Sequence, residues 1–291
     1  MAPAAPDFGP LRLASPRDIS RIGVVATAGF RYSPVFDWER PYHESHPGDT
    51  ILSYCQEFSS DMKNPARIVL VAIDKFDSKE NSKTKAKIPS DNGWEAPAPS
   101  EPVIVGVASW KLNSRSPRQG SFQNDDAPYP DLPINPNRDK HSGHCALFGD
   151  RAEEAENKYF QNWLTMEMLV VHPAYWNRGH GTRLTQWGLD LAKVDNTRSG
   201  VIATQMGQTL YRGIGWKNLA DVHIAGDEVV PGGVTVSAMM FKPKRQRMFL
   251  SLLLTLITAV QRLHKRWSKA KASQEKIYPY QGSELGLLQE K

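Results

Sequence analysis

The 291-residue chain reads as an α/β protein, with strands placed both before and between helices, and three observations carry that reading. Short β-branched or apolar runs occur at 67–73 (RIVLVAI), 103–112 (VIVGVASWKL) and 163–171 (WLTMEMLVV). Each has the length and apolar character of a buried strand. Two stretches, 15–26 and 182–194, space their apolar residues as one face of a helix does. Between the third run and the second helix stands a glycine-containing turn, Gly179-His180-Gly181.

Composition excludes several classes before any motif is considered. At 40% hydrophobic, 23% charged and 9% aromatic the chain is an ordinary globular one, unlike collagen, mucins, disordered proteins or polytopic membrane proteins. Two cysteines, Cys55 and Cys145, cannot make a disulfide scaffold, and free thiols suit an intracellular, cytoplasmic setting. The first ten residues, rich in Ala and Pro, lack the basic and apolar regions of a signal peptide. The net charge of +5 is uneven: residues 242–291 hold 11 basic and 3 acidic residues, leaving 25 basic against 28 acidic in 1–241.

Taken in order, 11–14 makes a short strand, and Ser15-Pro16 starts a helix as N-cap and first-turn proline, with Ile19, Ile22, Val25 and Ala26 on one face. The strand 67–73 and the strand 103–112 are separated by 74–101, a polar stretch that reads as an exposed loop with little order. A second irregular insert runs from 113 to about 150, followed by an acidic, Ala-containing helix over 151–160. The strand 163–171 ends at His172-Pro173, and the helix 182–194 follows the glycine turn with Leu184, Trp187, Gly188 and Leu191 on one face. A short strand at 201–204, a short helix at 208–214 closed by Gly215, and strands at 222–225 and 234–241 complete the domain.

The segment 169–184 carries the chemistry. Two glycines let the backbone turn sharply and come close to a ligand, while the unsatisfied N–H groups of the helix start face outward and suit an anion. Consecutive N–H groups form a nest fit for a pyrophosphate, with Arg178 adding charge and Thr182 a hydroxyl. By itself such a turn is equally compatible with a plain strand-to-helix connection. The third glycine of the dinucleotide fingerprint and the Gly-Lys-Ser/Thr of a P-loop are both missing, which speaks against NAD and ATP.

With Val171-His172-Pro173 before Gly179-His180-Gly181, and Leu210-Tyr211-Arg212-Gly213-Ile214-Gly215-Trp216 one strand later, the sequence resembles the GNAT superfamily of acetyl-CoA-dependent N-acetyltransferases. Two departures stand out: Trp176 where the family usually has Gln or Arg, and Trp216 where it usually has Phe. The form of the central stretch is similar to GNAT-related proteins of filamentous fungi. The resemblance spans about 11–241 and implies a GNAT fold: a mixed central sheet, splayed at the cofactor site, with helices on both faces.

It further implies direct acetyl transfer from acetyl-CoA to an amine, without an acyl-enzyme. Cys55 and Cys145 then remain structural thiols. Backbone atoms of Leu169, Val170 and Val171 would hold the pantetheine arm, and one N–H there would stabilise the thioester oxygen. Arg178, Gly179, His180, Gly181 and Thr182 would hold the pyrophosphate, His180 itself being expected as an exposed position. Thr204 falls where relatives carry Asn or Ser near the pantetheine. Tyr211 is the candidate general acid, since a phenol of pKa near ~10 can protonate a departing thiolate; otherwise it is a core tyrosine. Glu167, read as sharing a strand face with Thr165 and Leu169, is the candidate base; otherwise it is a solvent-facing glutamate. His141, His144 and Cys145 lack a second pair at ligand spacing, so a solvated loop without metal is expected there. The acceptor is an amine on a small molecule, including a secondary-metabolite intermediate, or on a protein. A non-catalytic CoA-binding or interaction protein is the alternative.

Residues 1–241 thus read as the acetyltransferase domain and 242–291 as a basic tail. Within the tail, Ser251, Thr255, Thr258, Arg262 and Lys265 form one stripe on an otherwise apolar stretch, predicting an amphipathic helix at about 246–270, too short in its apolar run to span a bilayer. It would pack on the domain or a second subunit, or lie on an anionic membrane; its Leu-rich filling does not suit nucleic acid.

Overall fold

Strand β1 (Leu11–Leu13) leads into a 3-10 turn at Pro16–Asp18, where Ser15 and Asp18 cap each other reciprocally, and then into helix α1 (Ile19–Phe30). This computed structural model describes residues 3–243 and Gln261, so the helix expected over 246–270 lies outside the described residues. Two helices unmarked in the sequence reading follow, α2 (Pro34–Glu39) and α3 (Pro47–Lys63). Strands β2 (Arg67–Lys75) and β3 (Pro102–Lys111) flank the first insert, and α4 (Ser142–Tyr159) closes the second. Then come β4 (Leu164–Val171), α5 (His180–Val194), β5 (Ser199–Ala203), α6 (Gln205–Gly213), β6 (Lys217–Ile224) and β7 (Val234–Phe241). Among the described residues no helix is long and apolar enough to cross a membrane.

The seven strands form one sheet in the order β1-β2-β3-β4-β5-β7-β6. Its one parallel pair, β4 with β5, is joined only over Leu164–Met166 and Ser199–Val201. Beyond those residues the two strands part. Helices cover both faces: Leu184, Trp187 and Leu191 of α5 share one core with Leu70 and Trp110, while Ile19 and Ile22 of α1 and Ile51 and Phe58 of α3 share another with Val71 and Val107. Each such large apolar side chain contributes about 1.5–3 kcal/mol by burial.

Both inserts differ from expectation. Residues 84–101 are the exposed, irregular stretch expected, but the part before them is anchored: Phe76 and Glu80 are buried, and a 3-10 turn forms over Glu80–Lys83. The partner that holds Glu80 is Arg21, far away in the chain, so local composition carried no sign of it. In the second insert the helix begins at Ser142 rather than at 151, capped by the His141 ring, which accepts the His144 amide at 3.2 Å. Before it, Asp139 is fully buried against Arg40 and Thr50.

Candidate functional site

A cavity of 410 Å³ opens where β4 and β5 part. On one side it is lined by Met166 to Val171, on the other by Val201 to Thr204, at one end by the turn before α5, and at its floor by Leu210 and Tyr211 of α6. Gly29 and Phe30, at the end of α1, and Ser33, the N-cap of α2, close it from the opposite face of the sheet. Neither insert lines it. Gly29 is there because space is short: a Cβ on it would stand 2.3 Å from Val170 Cγ2 and 2.7 Å from the Val171 carbonyl oxygen.

The divergence of the strands coincides with a β-bulge. Ser109 pairs with Met168 and Trp110 with Met166, so Glu167 is the extra residue. The bulge reverses the alternation of faces. Met166, Leu169 and Val171 lie with the α5 core, whereas Met168 and Val170 lie with the α1–α3 core. Glu167 and Leu169 therefore do not share a face, contrary to simple alternation. Glu167 does stay beside Thr165, whose hydroxyl donates to it at 2.9 Å. Its carboxylate also faces Arg67 at 3.2 Å and Lys111 at 3.9 Å, and its side chain is 20% exposed.

At the other end, Asn177 and Gly179 both have positive φ (62° and 81°), and Gly179 is the N-cap of α5. The first amide of this helix to find a local carbonyl is that of Arg183, on Gly179. Those of His180, Gly181 and Thr182 meet no acceptor among the described residues. Gly181 leaves the approach open, since a Cβ there would meet only ordinary contacts at 3.5 Å and beyond. Three unpaired amides, two arginines and a strand edge without a partner fit a long thioester ligand with a phosphate end.

His180 is not exposed as expected but 5% accessible. Arg183 donates to its Nδ1 at 3.1 Å, so Nε2 carries the hydrogen and donates to Asp74 at 3.0 Å. Arg178, half-exposed and outside the cavity lining, pairs with the same carboxylate at 3.0 Å. Burial pushes the Asp74 carboxyl up, but hydrogen bonds from His180, the Lys75 amide and Arg178 outweigh it and hold it below its ordinary range. Arg183 was missed in the sequence; two arginines five apart across a helix start were the available signal. Trp176, in place of Gln or Arg, lines the cavity and donates its indole N–H to the Val171 carbonyl at 2.7 Å, tying the turn to the end of β4. His172 is fully buried, accepts the Ala174 amide at Nδ1, and burial pushes its pKa down to about 4.

Tyr211 is buried, and its hydroxyl meets the sulfur of Met166 at 3.2 Å. Burial pushes this phenol above its ordinary value, so it stays protonated across the range in which amines react. Thr204 precedes α6 and makes no side-chain cap bond, which leaves its hydroxyl available at the cavity wall. Cys55 lies outside the lining, and burial pushes its thiol up to about 11, the opposite of an activated nucleophile. The His141 and His144 segment is not a solvated loop. His144 is buried, stacks on Trp38 at 3.9 Å and bonds Asp227 at 2.6 Å. Among the described residues no group of three or more His, Cys, Asp or Glu could hold a metal ion.

Residues 98–210 match the model of the Acetyltransferase (GNAT) family. A protein named acetyltransferase from Stachybotrys chartarum is 29% identical over 247 residues, covering 84% of this chain and 95% of the relative. A solved structure described as histone acetyltransferase HPA2 and related acetyltransferase, from Corynebacterium glutamicum, is 18% identical, with 82% of this chain and 98% of that one covered and a TM-score of 0.47. Arylalkylamine N-acetyltransferase 2 from Aedes aegypti is 14% identical, with 80% and 97% covered and a TM-score of 0.44.

Proposed function

Because this chain carries a GNAT-family acetyltransferase domain, which makes it an acyltransferase, we propose that it transfers an acetyl group from acetyl-CoA directly to an amine. The observation that supports this most is the parting of β4 and β5 at Met166, in a gap that ends on the unpaired amides of α5. Acetyl-CoA, when bound, supplies an acyl group activated as a thioester.

In this proposal the free edge of β4 at Leu169, Val170 and Val171 binds the pantetheine arm by backbone hydrogen bonds, and Thr204 faces it from between β5 and α6. The Gly181 and Thr182 amides take the pyrophosphate, with Gly179 setting the turn, His180 bracing it and Arg178 and Arg183 supplying charge. Tyr211 gives its proton to the departing sulfur. Glu167, the one carboxylate among the described residues that lines the cavity, accepts the proton of the incoming amine, directly or through water. No metal takes part. The acceptor is a small-molecule or protein amine admitted past Phe30 and Ser33. Residues 1–241 are the catalytic domain, and 242–291 are a basic extension that bears on where the protein sits, at a membrane surface or against a second copy.

The test is calorimetric titration of the full chain with acetyl-CoA, followed by a thiol-release screen over small amines, polyamines and peptides. Binding with thiol release is the expected result. Binding without release from any amine would favour a non-catalytic CoA-binding protein, and no binding of acetyl-CoA or CoA would overturn the assignment.

A further inference from the structure

The end of β2 and the start of the first insert touch the turn at one end of the cavity and the α1 end that closes it, without lining the cavity themselves. Asp74 receives Arg178 and His180 at 3.0 Å each. Next, the Asp77 amide donates to the Tyr175 hydroxyl at 3.0 Å, and that hydroxyl donates to Glu80 at 2.7 Å. Glu80 and Arg21 form a two-pronged ion pair in which both side chains are nearly inaccessible, and Arg21 also donates to the Ile104 carbonyl at 2.8 Å. Finally Thr84 donates to the Ala28 carbonyl at 2.9 Å, at the end of α1 beside Gly29. One short segment, 74–84, thus joins the turn 173–180 to the helix end that faces it.

Sealed charges of this kind are expensive to bury, and a compact sheet does not need them. Here they fix the distance between two elements that no strand pairing connects. We propose that residues 74–84 act as a strap that presets the phosphate-binding turn, with Glu80 and Tyr175 as positioning residues for the phosphate end of acetyl-CoA. This rests on the acetyl-CoA assignment above. Glu80 touches no ligand in this account; it holds Tyr175, which holds the turn whose amides meet the phosphates.

The experiment compares acetyl-CoA with S-acetylpantetheine, which lacks the phosphates and adenosine, in binding to the full chain. For Glu80→Gln the Kd for acetyl-CoA rises about tenfold, and for Tyr175→Phe, which keeps the Arg21–Glu80 pair and the ring, it rises about threefold or more. The Kd for S-acetylpantetheine stays unchanged in both. Asp195→Asn, which breaks the Arg118–Asp195 ion pair away from the turn, lowers the melting temperature without changing either Kd. Equal weakening for both ligands, or the same weakening in Asp195→Asn, would reduce the strap to general stability. Unchanged acetyl-CoA binding in Tyr175→Phe, with wild type binding normally, would overturn the strap alone. Failure of wild type to bind acetyl-CoA would remove the assignment of the site, and the strap's role with it.

Discussion

Glu80 and Glu167 are both carboxylates held by arginine, yet they sit in opposite circumstances. Glu80 is 2% exposed and has its acceptors filled by Arg21 and Tyr175. Glu167 projects from a bulge, is 20% exposed, and faces Arg67 and Lys111 across longer gaps of 3.2 and 3.9 Å. A sealed, fully paired carboxylate has no route to a substrate, so its value is geometric. One that is partly solvated beside a cavity can exchange a proton. The two therefore call for different tests: folding for the first, turnover for the second.

The largest expected effect is on folding. Glu80→Ala leaves Arg21 buried without its counter-charge and should lower stability by about 3–5 kcal/mol, read from urea unfolding. A loss below about 1 kcal/mol would mean that water replaces the carboxylate, and the contrast with Glu167 would collapse. Next comes Tyr211→Phe, which removes a hydroxyl whose partner among the described residues is only the Met166 sulfur. Turnover should fall about 10²-fold with the melting temperature nearly unchanged. If stability fell and turnover did not, Tyr211 would be a core tyrosine. Glu167→Gln should lower kcat by about tenfold or more while changing stability by less than about 1 kcal/mol, because its ion pairs are partly solvated. The reverse pattern would make Glu167 a second Glu80.

How much of this was legible in the sequence follows from the reach of each interaction. The strands other than β6, the proline-capped turn leading into α1 and the turn at Gly179 are set by residues within a few positions of one another, and they stand close to where the sequence puts them, whereas β6 starts at Lys217 rather than at 222. Helix α3 was invisible because its buried side includes Asp49, Thr50 and Ser53. Those polar groups are acceptable inside only through Arg138, Asp139 and Arg40, two of which come from the second insert. The strap was read as a loop for the same reason. The bulge at Glu167 depends on the register of β3, and no feature of residues 164–171 alone announces it. The positions on β4 and α5 that line the cavity are thus those the motif singles out. What orients them, Asp74, Arg183 and Trp176 above all, needed the fold.

Glu39 extends the contrast to burial without a partner. Among the described residues its carboxylate makes no ion pair, and burial pushes its pKa up from an ordinary 4.5 to about 7. The folded protein therefore keeps a proton on Glu39 that the unfolded chain releases, and stability falls as pH rises from about 4.5 to about 7. Glu39→Gln cannot ionise and escapes that loss. Below pH 4.5 the variant should match wild type, and at pH 8 it should be more stable by about 1 kcal/mol, or 2–4 °C in melting temperature, a figure kept small because the side chain is only partly enclosed. Thermal melts of both proteins at pH 4 and pH 8 read the difference directly. A variant less stable than wild type at pH 8 would mean that Glu39, like Glu80, is held by a cation, with Arg40 the nearest candidate.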